Sequence, residues 1–205
     1  MKTHILSADS PDAVLVCLKV LRDGGVVAFP TDTVYGIGTL AFDQKAVQSI
    51  YIAKGRPIEK AIPILLGDSD ELPKIASRVP VMAQRLATRF WPGPLTLVMP
   101  KIATLPQVVS GTETVGVRVP DNPVARALLH SAGPMAVTSA NRSGGLSPST
   151  AEEVFEQLNE RIPLILDGGR TPGGIASTVV DCTQTEPSIL RAGPISLEEI
   201  KSALG

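Results

Sequence analysis

Aromatic side chains make up only 3% of the 205 residues, and charge is almost balanced at −1, with a pI of about 6.1. Proteins that grip single-stranded RNA do so with stacked aromatics or dense positive charge. Scarcity of both argues against a protein that holds nucleic acid by these means alone, while leaving a local basic patch open. Cysteine is equally sparse: Cys17 falls in an apolar helical stretch and Cys182 in a strand-like one, with no metal-ligand spacing. They read as small buried hydrophobes in a reducing compartment. His4 and His130 are too far apart in sequence to suggest a ligand pair, and His130 is expected at the surface near a helix end. No apolar run approaches the length of a membrane span. The N-terminus shows no basic segment followed by a long apolar one. The expectation is a cytoplasmic protein.

Glycine and proline, by contrast, are abundant at eighteen each, and they gather at strand ends rather than in repeats. That pattern suggests sites built from loops. Hydrophobic content of 43% over this length supports a substantial core. With no linker-like stretch and no internal repeat, one domain over residues 1–205 is expected.

Apolar periodicity alternates between the two regular types. Ser10-Pro11 reads as a helix start, with Val14, Leu15, Leu18 and Leu21 at helical spacing and Gly24-Gly25 beyond. Val26–Phe29 is a short buried-strand pattern. Asp43 caps a second helix carrying Val47, Ile50 and Tyr51, and residues 80–91 form a third. Further strands are expected at 62–66, 95–99, 115–119, 135–137, 164–166, 178–180 and 189–190. A helix is expected from about Pro123, another after Thr150, and a last one after the Ser196/Glu199 capping box. Strands and helices interleave, yet those between 164 and 190 follow one another directly. The spacing therefore predicts an α/β fold around a mixed sheet rather than a purely parallel one.

Six polar segments or single residues could carry chemistry. Pro30-Thr31-Asp32-Thr33-Val34-Tyr35-Gly36 follows the first strand and offers hydroxyls and a carboxylate, either to a small polar ligand or to its own turn. Lys54-Gly55-Arg56-Pro57, with Lys60 beyond, presents a forked and a point positive charge on a braced turn; the alternative is solvated charge at a helix C-terminus. Thr138-Ser139-Ala140-Asn141 ends a strand and opens into Arg142-Ser143-Gly144-Gly145, where ligands commonly sit in α/β sheets. Arg118 lies inside an apolar strand and needs an anionic partner, either Asp121 or Asp181 or a substrate carboxylate. The Gly168–Ser177 stretch is a candidate closing loop, and Arg191 ends the last strand. The nucleophile-elbow spacing of serine hydrolases is absent.

In order along the chain, Phe29–Gly38 (FPTDTVYGIG), Lys54–Pro57 (KGRP), Phe90–Thr96 (FWPGPLT), Val117–Pro120 (VRVP), Thr138–Gly144 (TSANRSG), Ser177-Thr178-Val179 and Leu190–Pro194 (LRAGP) resemble the YrdC-domain family, the L-threonylcarbamoyl-adenylate synthases of tRNA modification. The resemblance covers nearly the whole chain and is to the short, single-domain form. It implies a YrdC-like twisted mixed sheet flanked by helices, with an open ligand cleft. It implies a nucleotidyltransferase joining L-threonine, bicarbonate or CO2, and ATP into threonylcarbamoyl-AMP and pyrophosphate, with Mg2+ arriving on ATP and no metal site in the protein. By similarity, Lys54 and Arg56 carry the catalytic charge. Arg56, Lys60, Ser139, Asn141, Ser147 and Arg191 contact ATP, while Thr31, Thr33, Arg118 and Ser177 contact L-threonine. Ala61-Ile62-Pro63 after Lys60 departs from the family pattern and leaves the role of Lys60 open. The product would pass to the tRNA threonylcarbamoyl-transferase machinery, with at most weak or transient tRNA contact. Two rivals stand beside this reading: carbamoyl adenylation or transfer to another acceptor, and an RNA-binding module.

Overall fold

The computed structural model describes residues 2–172 and 174–205. Among these residues ten strands form one mixed sheet: β1 (His4–Ser7), β2 (Val27–Phe29), β3 (Gly36–Leu40), β4 (Ile64–Leu65), β5 (Leu95–Pro100), β6 (Thr114–Arg118), β7 (Met135–Ser139), β8 (Leu164–Asp167), β9 (Thr178–Asp181) and β10 (Ser188–Arg191). Their spatial order is β1-β8-β2-β3-β7-β4-β6-β5-β9-β10. Pairs β1/β8, β8/β2, β4/β6 and β5/β9 are parallel and the other five antiparallel. The expected mixed α/β architecture is therefore present.

Alternation along the strands assigns each face. In β5 and β6, Leu95, Leu97, Met99, Val115 and Val117 point into the larger core, beneath α2 (Gln44–Lys54), α3 (Val81–Phe90), α5 (Ala151–Leu158) and α6 (Leu197–Leu204). The opposite face is only half covered. There α1 (Ala13–Arg22) and α4 (Pro123–Ala132) bury Val27, Phe29, Met135, Val137 and Leu164 in a second, smaller core. Helix α1 packs on β8, β2 and β3, and among the described residues this smaller core takes in Leu65 of β4 but no residue of β6, β5 or β9. That uncovered stretch of sheet becomes the floor of a cleft.

Local signals set most of the helix ends. Asp43, Asn122 and Thr150 each accept a backbone N–H of the first turn, and Ser196 with Glu199 closes the expected capping box. Helix α1 departs from expectation. It starts at Ala13, and Ser10 contributes its carbonyl rather than its hydroxyl, accepting from the Ala13 amide at 3.0 Å. Its inward face is Ala13, Cys17, Leu18 and Leu21, which leaves Leu15 exposed. Strand β3 is the larger difference, since no strand is expected from the spacing at 36–40. A Cβ on either glycine would lie 2.7 Å from a Val137 methyl. Both positions stay glycine so that β3 can pair flat against β7.

Candidate active site

The cleft above the bare sheet has a volume of about 300 Å³. Its floor is Thr96 and Val98 of β5, Gly116 of β6 and Val179 of β9; Thr31, Thr33, Arg56, Arg118, Ser139, Ser177 and Arg191 stand around it. A Cβ on Gly116 would lie 3.0 Å from the Thr96 methyl and 3.4 Å from Pro63 Cβ, so glycine keeps the floor open.

At one end sits Arg118, 5% exposed at the end of β6. Its Nε donates to the Gly93 carbonyl at 2.9 Å, Nη1 to Thr33 Oγ1 at 3.1 Å, and Nη2 pairs with Asp32 Oδ1. Sequence spacing nominates Asp121 or Asp181 as the anionic partner. Folding corrects this to Asp32, because the β2–β3 turn comes down on the end of β6. Burial pulls the Arg118 pKa below its usual value, with Arg191 pushing the same way and Asp32 opposing. A guanidinium has five N–H donors, so two remain beyond these three bonds. The other carboxylate oxygen, Asp32 Oδ2, is buried with no hydrogen-bond partner. Thr31 braces the turn, its hydroxyl donating to the Val34 carbonyl at 2.7 Å and lying 3.0 Å from Thr33 Oγ1.

Ser177 closes the far wall. Its hydroxyl is 2.8 Å from Thr96 Oγ1, and Arg191 donates to its carbonyl from Nε at 3.0 Å and Nη2 at 2.7 Å. Arg56 stands on the turn after α2, held by bonds from Nε to the Lys60 carbonyl at 3.2 Å and from Nη2 to the Ala61 carbonyl at 2.9 Å. Burial lowers the pKa of both Arg56 and Arg191, and Arg191 is lowered further by Arg56. Neither arginine has a carboxylate within 4.0 Å among the described residues. Two cations facing one cleft without counter-charge suit an anionic ligand better than a neutral one.

The other expected contacts stand off the cleft wall. Lys60 is exposed and Ser147 half-buried. Asn141 turns its amide into its own loop, donating to the Arg142 and Gly145 carbonyls at 2.7 and 2.8 Å and accepting from Ser139 Oγ. Lys54 is 2% exposed, and burial together with Arg56 draws its ammonium down to about 7. Of the expected lid, Ala176 and Ser177 reach the cleft. Thr171 and Gly174 bond through their amides to the Ser149 and Thr33 carbonyls at 2.9 Å each, while Gly173 lies outside the described residues.

Spacing alone does not single out Thr96, Gly116 or Asp32 as site residues. A signal for the first two is present in the period-2 pattern of Leu95–Met99 and Val115–Val119, which sends Thr96 and Gly116 to the face opposite the leucines and valines. Among the described residues, no three His, Cys, Asp or Glu side chains cluster as metal ligands. No helix among them is long and apolar enough to cross a membrane.

A mixed α/β sheet with one half-bare face, arginines at two sides of a cleft and hydroxyls between them defines an α/β protein with a cleft suited to a small anionic ligand. The chain belongs to the Sua5/YciO/YrdC family, whose model, described as "Telomere recombination", matches residues 19–193. It is 46% identical over 194 residues to the threonylcarbamoyl-AMP synthase of Pyrococcus abyssi, covering 94% of this chain and 57% of the relative. It is 43% identical over 206 residues to the threonylcarbamoyl-AMP synthase of Bacillus subtilis, covering 99% of this chain and 59% of the relative. This chain thus spans a little under three fifths of the length of either relative. The crystal structure of P. abyssi Sua5 complexed with L-threonine superposes with a TM-score of 0.95 at 41% identity, covering 99% of this chain and 61% of that one.

Proposed function

We propose that this chain is an enzyme that makes threonylcarbamoyl-AMP and pyrophosphate from L-threonine, bicarbonate or CO2, and Mg2+-bound ATP, as a cytoplasmic step of tRNA modification. The observation that carries the proposal is the convergence on one cleft of Arg56 and Arg191, neither with a carboxylate partner among the described residues, together with the Arg118–Thr33 pair at its other end. One side suits a polyphosphate and the other an amino acid carboxylate. The similarity to two threonylcarbamoyl-AMP synthases supports the same reading.

The chemistry follows from the charges. The α-amine of threonine adds to CO2 and loses a proton, giving a carbamate. A carbamate oxygen then bonds to the α-phosphorus of ATP while the bond from that phosphorus to the β-phosphate bridging oxygen breaks, and the electron pair leaves with pyrophosphate. An anion attacking a polyanion is slowed chiefly by repulsion, so fixed cations at the phosphates matter more than a general base. Arg56 and Arg191 supply them. Arg118, through its two remaining N–H donors, holds the threonine carboxylate while Thr33 and Thr31 shape that side of the pocket, and Ser139, whose hydroxyl proton goes to Asn141, accepts a hydrogen bond from the nucleotide. Ser177 closes over the amino acid. The product is a labile mixed anhydride, and segment 168–177 serves as the lid that excludes water from it.

The test is mass-spectrometric detection of threonylcarbamoyl-AMP from purified protein with ATP, Mg2+, bicarbonate and L-threonine. A product that disappears when threonine is omitted supports the proposal. ATP binding without that product would redirect it to carbamoyl adenylation with another acceptor.

A further inference from the structure

Lys54 belongs to the Lys-Gly-Arg-Pro turn, yet it stands outside the cleft. An ammonium has three N–H donors, and each has an oxygen to meet: the Ser139 carbonyl, the Asn141 carbonyl at 2.5 Å and Asn141 Oδ1 at 3.4 Å. The link runs both ways, because the Lys54 carbonyl accepts from the Ser143 amide at 2.8 Å. It would otherwise be one of the unpaired carbonyls at the end of a helix. Gly55 makes this possible: at φ 59° it ends α2 in the left-handed conformation and sends Arg56 away toward the cleft while Lys54 points into the loop.

The oxygens explain the residue type. Three acceptors turned on one buried point repel each other unless a compact donor sits among them. A planar guanidinium cannot converge on all three, and an amide offers only two hydrogens. The same oxygens offset part of the cost of burying the charge. An ammonium spent on one loop in this way has no donor left for a phosphate.

We propose that Lys54 is a positioning residue that does not touch substrate: it staples the end of α2 to the 139–145 loop, so that Arg56 and Ser139 meet the nucleotide as one preset unit. The proposal rests on the nucleotide reading of the cleft. It differs from the expectation, drawn from the motif, that Lys54 supplies catalytic charge.

The experiment is a double-mutant cycle in the full chain, reading Mg2+-ATP affinity by calorimetry for wild type, Lys54→Met, Ser139→Ala and the pair. Each single variant is expected to weaken binding about tenfold, and the pair no more than about twofold beyond Lys54→Met, because both changes remove the same placed hydroxyl. In turnover, Lys54→Met should raise the KM for ATP by a similar factor and leave the KM for L-threonine nearly unchanged. Simple loss of folded protein would instead lower kcat with both KM values intact. Amide hydrogen exchange at 140–145 should speed up in Lys54→Met while β5 and β6 stay protected. Full additivity of the two substitutions, or unchanged exchange in the loop, would overturn the staple and give Lys54 a direct phosphate contact. Should Lys54→Met fail to fold, Lys54→Gln, which keeps two of three donors, is read by the same criteria. If wild type binds no nucleotide, the reading of the cleft fails, and the exchange measurement still decides whether Lys54 holds the loop.

Discussion

The guanidinium of Arg191 closes on the carbonyl of Ser177 through two bonds, from Nε at 3.0 Å and Nη2 at 2.7 Å, and Nη2 also reaches Ser177 Oγ at 3.0 Å. The residue expected to hold nucleotide is thereby also the one that shapes the amino acid side of the cleft. Among the described residues Nη1 meets no acceptor, so its two N–H groups are open to an anionic ligand.

This double duty can be separated. Arg191→Ala should raise the KM for both ATP and L-threonine by roughly tenfold or more, since a charge and a forked hold are lost together. Arg191→Lys keeps a charge without the fork, so only the KM for L-threonine should remain raised. A lysine variant with wild-type kinetics for both substrates would show that the forked contact to Ser177 has no part in catalysis.

Arg56 is half-buried on a turn, and among the described residues its side chain bonds only to the Lys60 and Ala61 carbonyls. Arg56→Ala should abolish product formation while the melting temperature falls by no more than about 4 °C. A much larger drop, followed by calorimetry, would make Arg56 a structural residue.

Asp32 is the only carboxylate within 4.0 Å of Arg118 among the described residues, and both side chains are at least nine-tenths buried. Asp32→Ala would leave a guanidinium in the sheet without its counter-charge, and removing one member of a buried pair costs about 3–5 kcal/mol. Asp32→Asn keeps an acceptor oxygen and should cost less than half as much. Urea unfolding of the two variants checks the order, and equal losses would show that packing rather than charge carries the effect.

Lys54 should leave a signature in pH-dependent stability. Burial first, and Arg56 second, lower its pKa in the folded chain from 10.5 to about 7. Between those values the unfolded chain binds the extra proton, so the contribution of Lys54 to stability rises with pH from about 7 to 10.5. The stability gap between wild type and Lys54→Met should therefore shift in favour of wild type between pH 6.5 and pH 9. A gap that stays constant, measured by urea midpoints, would place the Lys54 pKa outside that range.

Much of the chain is legible from its residues because the relevant interactions are local. Caps at Asp43, Thr150 and Ser196 act within one turn, and the alternation of Leu95–Met99 declares a strand with two unlike faces. The α1 start differs from its sequence signal for a local reason too: Ser10 and Pro11 form a turn of their own, and the serine carbonyl, not its hydroxyl, reaches Ala13. Strand β3 was invisible because its glycines answer to Val137, a residue about a hundred positions away.

By itself the sequence determined the kinds of element, the mixed character of the sheet and a set of arginines and hydroxyls suited to a phosphate and a carboxylate. Only the tertiary structure decided which of them meet. Arg118 finds Asp32 across 86 residues and Lys54 finds the Ser139 carbonyl across 85. Those meetings depend on strand order, on β7 lying between β3 and β4 and on helices that stop halfway across one face. Strand order is a property of how the whole chain buries its apolar surface, and no local pattern of residues encodes it.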